Sequence, residues 1–128
     1  MFMMPGLKTA GGLIVAACLL YACQPYHSDQ LVGTWRGALI LEEGDTVLVD
    51  PAEISLQFRP DDRYLFKSTL NYKEAGTYYL DAQYLFTLDT LNKASTEKAV
   101  EIVSLTPDSL HLKMMDNGRE RLLKLYKE

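Results

Sequence analysis

The chain is poor in the residue types that build covalent staples and metal centres. It has two cysteines and two histidines in 128 residues, and both cysteines, Cys18 and Cys23, lie in or at the end of an apolar stretch near the N-terminus. No cysteine remains beyond them to form a disulfide framework or to act as a nucleophile. His27 and His111 are far apart in sequence, which leaves few parts for a histidine metal cluster or a catalytic triad, and His111 reads as a surface or packing residue. Clustered basic residues are lacking too: 13 Lys and Arg stand against 17 Asp and Glu, for a net charge of -4, whereas a nucleic-acid surface needs grouped cations. The apolar run from Thr9 to Ala22 has fourteen residues, short of the about twenty that a membrane span requires.

Acidic pairs do occur, but not where they could work together. Asp61-Asp62 and Glu42-Glu43 are adjacent residues on turns beside Pro60 and Gly44, and paired catalytic acids must face each other across a cleft. Asp116-Asn117-Gly118 lacks the alternating ligands and the later Glu of a calcium loop, so it reads as a turn. The expectation is a protein that is not an enzyme and holds no cofactor or metal.

What the N-terminus does have is a targeting pattern. MFMMPGLK carries one positive charge at Lys8, and TAGGLIVAACLLYA follows without charge, the n-region and h-region of a secretory signal. Leu20-Tyr21-Ala22-Cys23 resembles the lipobox of bacterial lipoproteins, an aliphatic residue and two small ones before the modified Cys, and departs from it at Tyr21. Val15-Ala16-Ala17-Cys18 fits at every position. Processing at Cys18, however, would leave Leu19, Leu20 and Tyr21 on the mature tether and shorten the apolar core to about nine residues. Cleavage before Cys23 leaves the polar tether QPYHSDQ.

The reading is therefore a signal peptide over residues 1–22 and a lipidated tether over 23–30, with Cys23 the modified residue and Cys18 the alternative. The resemblance implies acyl chains such as palmitate on that cysteine. At about 0.8 kcal/mol per buried CH₂, two or more such chains anchor a protein stably. The implied address is the cell envelope, on the periplasmic side of the inner or outer membrane.

From Gly33 onward, β-branched and aromatic runs are separated by turn signals every eight to twelve residues or so, the pattern of an all-β barrel or sandwich. Ser28 to Val32 reads as one helical turn with Ser28 as its N-cap. Strands are expected at Gly33 to Leu41, Glu53 to Phe58, Arg63 to Ser68, Gly76 to Leu80, Gln83 to Asp89, Lys98 to Leu105, Ser109 to Met114 and Arg119 to Lys127. Between the last two, Asn117-Gly118 marks a type I′ hairpin, since both residues tolerate positive φ. Tyr78 and Tyr79 are adjacent, so one of them must face outward. An up-and-down antiparallel barrel of about eight strands is favoured over a sandwich, because closure removes sheet edges and little chain is spare for crossovers.

LVGTWRG, just before the first strand, resembles the Gly-x-Trp opening of lipocalin-like proteins. FRPDDRYLF, AGTYYLDAQYLF and IVSLTPDSLHL are similar to hairpins of the short lipocalin-like domains of Bacteroidetes lipoproteins. This resemblance covers nearly all of Leu31 to Lys127 and implies a lipocalin-like domain over 31–128. It also implies structural roles: Gly33 for the tight entry, Trp35 as a plug at one end, and an Arg of the last strand over the Trp. Arg121 is preferred to Arg119 for that place because it shares a face with Leu123 and Leu125.

A small hydrophobic ligand in the barrel is the function the resemblance implies, with contacts drawn from Tyr64, Phe66, Tyr78, Tyr84 and Phe86. The alternative is a filled barrel that serves as an interaction module for an envelope protein. Its contacts would lie on the long connections Glu42 to Ala52 or Asp89 to Glu97, since loops on rigid scaffolds commonly carry function. A cavity of about 300 Å³ or more would favour the first and a packed interior the second.

Overall fold

Where apolar and polar residues alternate after Gly33, the chain is extended and paired. The computed structural model describes residues 25–47 and 49–128; the expected signal peptide, Cys18 and Cys23 lie outside the described residues. A short helix α1 (Ser28–Leu31) precedes the strands β1 (Gly33–Glu42), β2 (Asp45–Thr46), β3 (Ser55–Phe58), β4 (Arg63–Lys67), β5 (Lys73–Asp81), β6 (Tyr84–Asp89), β7 (Lys98–Leu105), β8 (Ser109–Asp116) and β9 (Arg119–Lys127). From β3 to β9 each strand pairs antiparallel with the next, and β1 pairs with both β3 and β9. Eight strands thus close into the expected up-and-down barrel, while β2 is a two-residue extension hydrogen-bonded to the end of β1.

Closure rests on β1, whose ten residues serve two neighbours in succession. Gly33 to Arg36 pair with β3, and Trp35 to Glu42 pair with β9, with a register shift at Ala38 where the strand bulges. A bulge of this kind bends a strand and tightens its twist, which is what a small barrel needs. Gly37 stands just before the bend. A Cβ there would lie 2.2 Å from the Pro51 carbonyl oxygen, and the Gly37 N–H donates to the Ile54 carbonyl at 2.9 Å. No other residue fits so close a backbone approach.

Several boundaries differ from the sequence expectation for local reasons. Pro51–Glu53 forms a 3₁₀ turn, with the Asp50 side chain accepting from the Ala52 N–H at 3.0 Å, so β3 starts at Ser55 instead of Glu53. In α1 the N-cap is His27, not Ser28, and the Gln30 side chain accepts from the His27 N–H at 2.7 Å. β5 begins at Lys73, three residues before the expected Gly76, because the inward position 74 carries a glutamate that breaks the apolar alternation. The Asp116–Arg119 hairpin is as expected, with Asn117 at φ 53° and Gly118 at φ 76°.

Inward positions divide the barrel along its axis. The end near α1 is filled by Leu31, Trp35, Phe58, Tyr78, Leu110 and Leu125, each at most 3% exposed. Phe58 and Tyr78 meet edge to face at 4.9 Å between centroids. The opposite end, where β1 meets Arg121 of β9, is less completely filled.

Candidate functional site

The closed end is organised by Trp35. Its side chain is fully buried, and its Nε1–H donates to the Leu31 carbonyl at 2.9 Å, tying the sheet to α1. The cation over the indole is Lys127, with Nζ 4.7 Å from the ring centroid and donating to the Val32 carbonyl at 2.7 Å. This corrects the expectation of Arg121, and of Arg119 behind it. In the β1–β9 ladder Lys127 is the residue opposite Trp35, whereas Arg121 is opposite Glu42 and Arg119 is opposite Asp116 in the last hairpin. Six residue steps along the strand separate Arg121 from Lys127, roughly 20 Å, so Arg121 belongs to the other end. Gly33, at φ 132°, makes room for this arrangement: a Cβ there would lie 2.5 Å from the Lys127 Cε.

The open end holds a cavity of about 150 Å³, partly open to solvent. Its apolar wall includes Ile40, Leu56, Leu85, Leu112, Met114 and Leu123, and Phe66 with the ring of Tyr64 completes it. Of the five residues expected to contact a ligand, Tyr64 and Phe66 line this cavity. Tyr78 is buried at the closed end against Phe58, its hydroxyl donating to the Arg59 carbonyl at 3.4 Å.

Tyr84 and Phe86 face away from the interior, a correction to the sequence reading. On β6 the buried positions are Leu85, Thr87 and Asp89, so strand alternation turns the intervening aromatics outward. Outside, Phe86 stacks on Tyr79 at 5.0 Å with 13° between planes and lies 6.4 Å from Tyr84.

Sequence reasoning missed the polar groups at the open end. Glu74 is only 7% exposed, yet its carboxylate is well served: Tyr72 Oη donates at 2.8 Å, Tyr64 Oη at 3.3 Å, and Lys98 Nζ pairs with it at 2.7 Å. Burial and then the Glu74 charge push the Tyr64 hydroxyl well above the ordinary tyrosine range. The hydrogen bond to Glu74, with smaller contributions from burial and charge, pushes Tyr72 up to about 12.

Asp89 is also buried, and burial works against its charge. Hydrogen bonds from the Asn92 side chain at 2.6 Å, the Asn92 N–H at 3.2 Å and the Ala75 N–H at 3.3 Å outweigh it and hold the carboxyl below its usual range. This clamps the start of the β6–β7 connection to β5. The available signal for Glu74 was parity, since it shares a face of β5 with Gly76 and Tyr78.

Arg121 lines the cavity as well. Its guanidinium reaches Glu42 at 3.4 Å and Asp116 at 3.3 Å, while its Nε, closed off from solvent, has no hydrogen-bond partner among the described residues. The site can thus hold an apolar group. Among the described residues no group of three or more His, Cys, Asp or Glu is placed to share a metal.

No protein-family model matches the chain, and no curated protein matches it in sequence. In three dimensions it is similar to the crystal structure of a lipocalin-like protein from Bacteroides uniformis, with a TM-score of 0.58 at 15% identity, over 77% of this chain and 99% of that one. The closed eight-stranded meander and this likeness together make the fold that of a lipocalin-like barrel.

Proposed function

We propose that the chain is a non-enzymatic, lipid-anchored module of the bacterial cell envelope that takes a small apolar group into the open end of its barrel. The observation that carries this reading is the apolar cavity of about 150 Å³ above a fully packed closed end. A dry cavity of about that size accepts a benzene-sized molecule, whereas sites for drug-sized ligands run from about 300 Å³ upward. The occupant is therefore one ring or a short branched chain, free or as the tip of a larger molecule. Anchoring through Cys23 is supported by the lipobox-like run before it and the polar tether after it.

The described residues close the ladder and the core by themselves, so a soluble form starting at Gln24 is a suitable test protein. Titration with toluene, followed through side-chain methyl resonances, is expected to give saturable shifts confined to Leu85, Leu112, Met114 and Leu123. A Kd of about 0.1 to 1 mM, or roughly -4 to -5.5 kcal/mol, is expected for so small a ligand. Val100→Phe, which places a ring in the cavity, should abolish the shifts. Unsaturable or dispersed shifts would overturn the reading. The alternative, an interaction module, is favoured by one observation, the outward aromatic group of Tyr79, Tyr84 and Phe86, with Tyr79 48% and Tyr84 38% exposed.

A further inference from the structure

One carboxylate stands in the wall of the open-end cavity, and the surrounding structure holds it firmly. Glu74 of β5 is buried, lines the cavity and lies opposite Phe66 of β4 in the ladder. Two tyrosines fix it from the protein side: Tyr64 Oη donates to Oε1 at 3.3 Å, and Tyr72 Oη donates to Oε2 at 2.8 Å. Hydroxyl donors satisfy lone pairs but leave the charge, and a buried charge is strongly disfavoured unless a cation accompanies it.

The cation is Lys98, which also lines the cavity and stands at the start of β7 opposite the inward Thr87. Its Nζ reaches Oε2 of Glu74 at 2.7 Å, yet its side chain is 58% exposed. An ammonium group can therefore approach this oxygen, because one already does so from a solvent-exposed side chain. The same exposure makes the contact easy to open, since a solvated lysine that leaves a carboxylate regains water and rotamer freedom. Lys98 pairs with no second carboxylate among the described residues. Arg121, the other cation of the lining, is engaged by Glu42 at 3.4 Å and Asp116 at 3.3 Å. Glu74 is thus the fixed member of its pair and Lys98 the exchangeable one.

An organic ammonium ion needs a fixed negative charge, aromatic rings that attract cations and apolar space for its hydrocarbon. Glu74, the rings of Tyr64 and Phe66, and the Leu and Ile wall supply these in one cavity. A carboxylate ligand on Lys98 would instead bring a second negative charge up to Glu74 in the same wall. Resting on the reading that this cavity binds an apolar group, we infer that its ligand is a small primary amine in its ammonium form, whose nitrogen displaces Lys98 from Glu74 while its ring or branched chain fills the cavity. Glu74 then sets specificity, and Lys98 is a built-in competitor that closes the site when the ligand is absent.

Benzylamine, benzyl alcohol and benzoate share a ring and differ in charge, and they test this beside toluene on the soluble form starting at Gln24, at neutral pH and low salt. Benzylamine should bind about tenfold more tightly than benzyl alcohol, the scale of a hydrogen bond between charged groups, and benzoate more weakly than either. The Lys98 Nζ resonance should move on adding benzylamine and stay in place on adding toluene. Lys98→Met, a change at an exposed side chain, should tighten benzylamine binding about two- to fivefold, the scale of an exposed ion pair. Glu74→Gln should erase the preference for the amine and keep toluene binding; if that variant does not fold, Lys98→Met and the Nζ resonance decide the matter. Equal binding of benzylamine and benzyl alcohol, with Lys98 unmoved, would overturn this inference and leave the binding reading intact. Unchanged or weaker benzylamine binding in Lys98→Met would overturn the exchange at Glu74, and tightest binding by benzoate would give the site to an acid. If neither toluene nor any of the three binds, the binding reading fails and this inference fails with it.

Discussion

Truncating Trp35 to Ala should come close to unfolding the domain. The ring is fully buried, and deletion of a large core aromatic costs about 3 to 5 kcal/mol where the site cannot collapse. Collapse is hindered here because Leu31, Phe58 and Leu125 are held by α1 and by two different parts of the sheet. The substitution also leaves the buried Leu31 carbonyl without its 2.9 Å donor, an additional penalty of about 1 kcal/mol or more. It removes as well the aromatic partner of Lys127, worth about 0.5 to 2 kcal/mol.

These contributions share atoms and do not simply add, so a loss of about 4 to 6 kcal/mol is the expected result. A domain of this size has about 5 to 15 kcal/mol in all. Trp35 is the sole tryptophan, so the comparison must be made by far-ultraviolet circular dichroism during urea titration, not by fluorescence. Lys127→Met provides the control, with an expected loss of about 1 kcal/mol. A loss below about 1 kcal/mol for Trp35→Ala would refute the account of the closed end.

Other outcomes follow from particular groups. Asp89 has its carboxyl held below the usual range in the folded state, so it contributes stability above the ordinary carboxylate value of 3.8 and loses it as pH falls through its folded value. Urea midpoints measured from pH 5 down to pH 2 or so should therefore fall less steeply in Asp89→Asn than in the unmodified domain. Tyr72, raised to about 12 from 10.0, favours folding below its unfolded value, and that contribution disappears as pH rises from 10.0 to about 12. Carbon-13 labelling of the tyrosine rings should show one resonance titrating near that upper value and missing in Tyr72→Phe. Mass spectrometry of membrane-extracted protein should find an acylated N-terminal peptide that begins at Cys23, and one beginning at Cys18 would refute that assignment.

The barrel was legible because its strands announce themselves by alternation and its turns by composition. Leu56 and Phe58 inward with Gln57 outward, Pro60 in a turn and Asn117-Gly118 in a hairpin each carry a local physical signal that tertiary structure did not override. The site was less legible, since it depends on residues that local signals assign elsewhere. Glu74 and Asp89 read as surface residues until the barrel closes and brings donors to them from β4, β7 and the β6–β7 connection. Aromatic residues stand on both alternating faces of the β5–β6 hairpin, so alternation in the sequence does not say which set is inward, and the burial of Leu85, Thr87 and Asp89 places Tyr84 and Phe86 outside. Which cation sits on Trp35 depends on the β1–β9 register, and that pairing joins residues some ninety positions apart, beyond the reach of any local pattern.

That same pairing makes the order of events in folding unusual for so short a chain. β1 pairs along most of its length with β9, the last strand of the barrel, and the Glu128 N–H donates to the Thr34 carbonyl at 2.9 Å. Until β9 docks, β1 presents an open edge and Trp35 lacks both its cation and part of its packing. Closing a loop that spans nearly the whole domain is entropically the costliest contact to make first, so hairpins from β3 to β9 form ahead of it and the first strand docks late. Disruption at Lys127 and Glu128 should then resemble damage to the core, because these residues lie where the first and last strands of the barrel join.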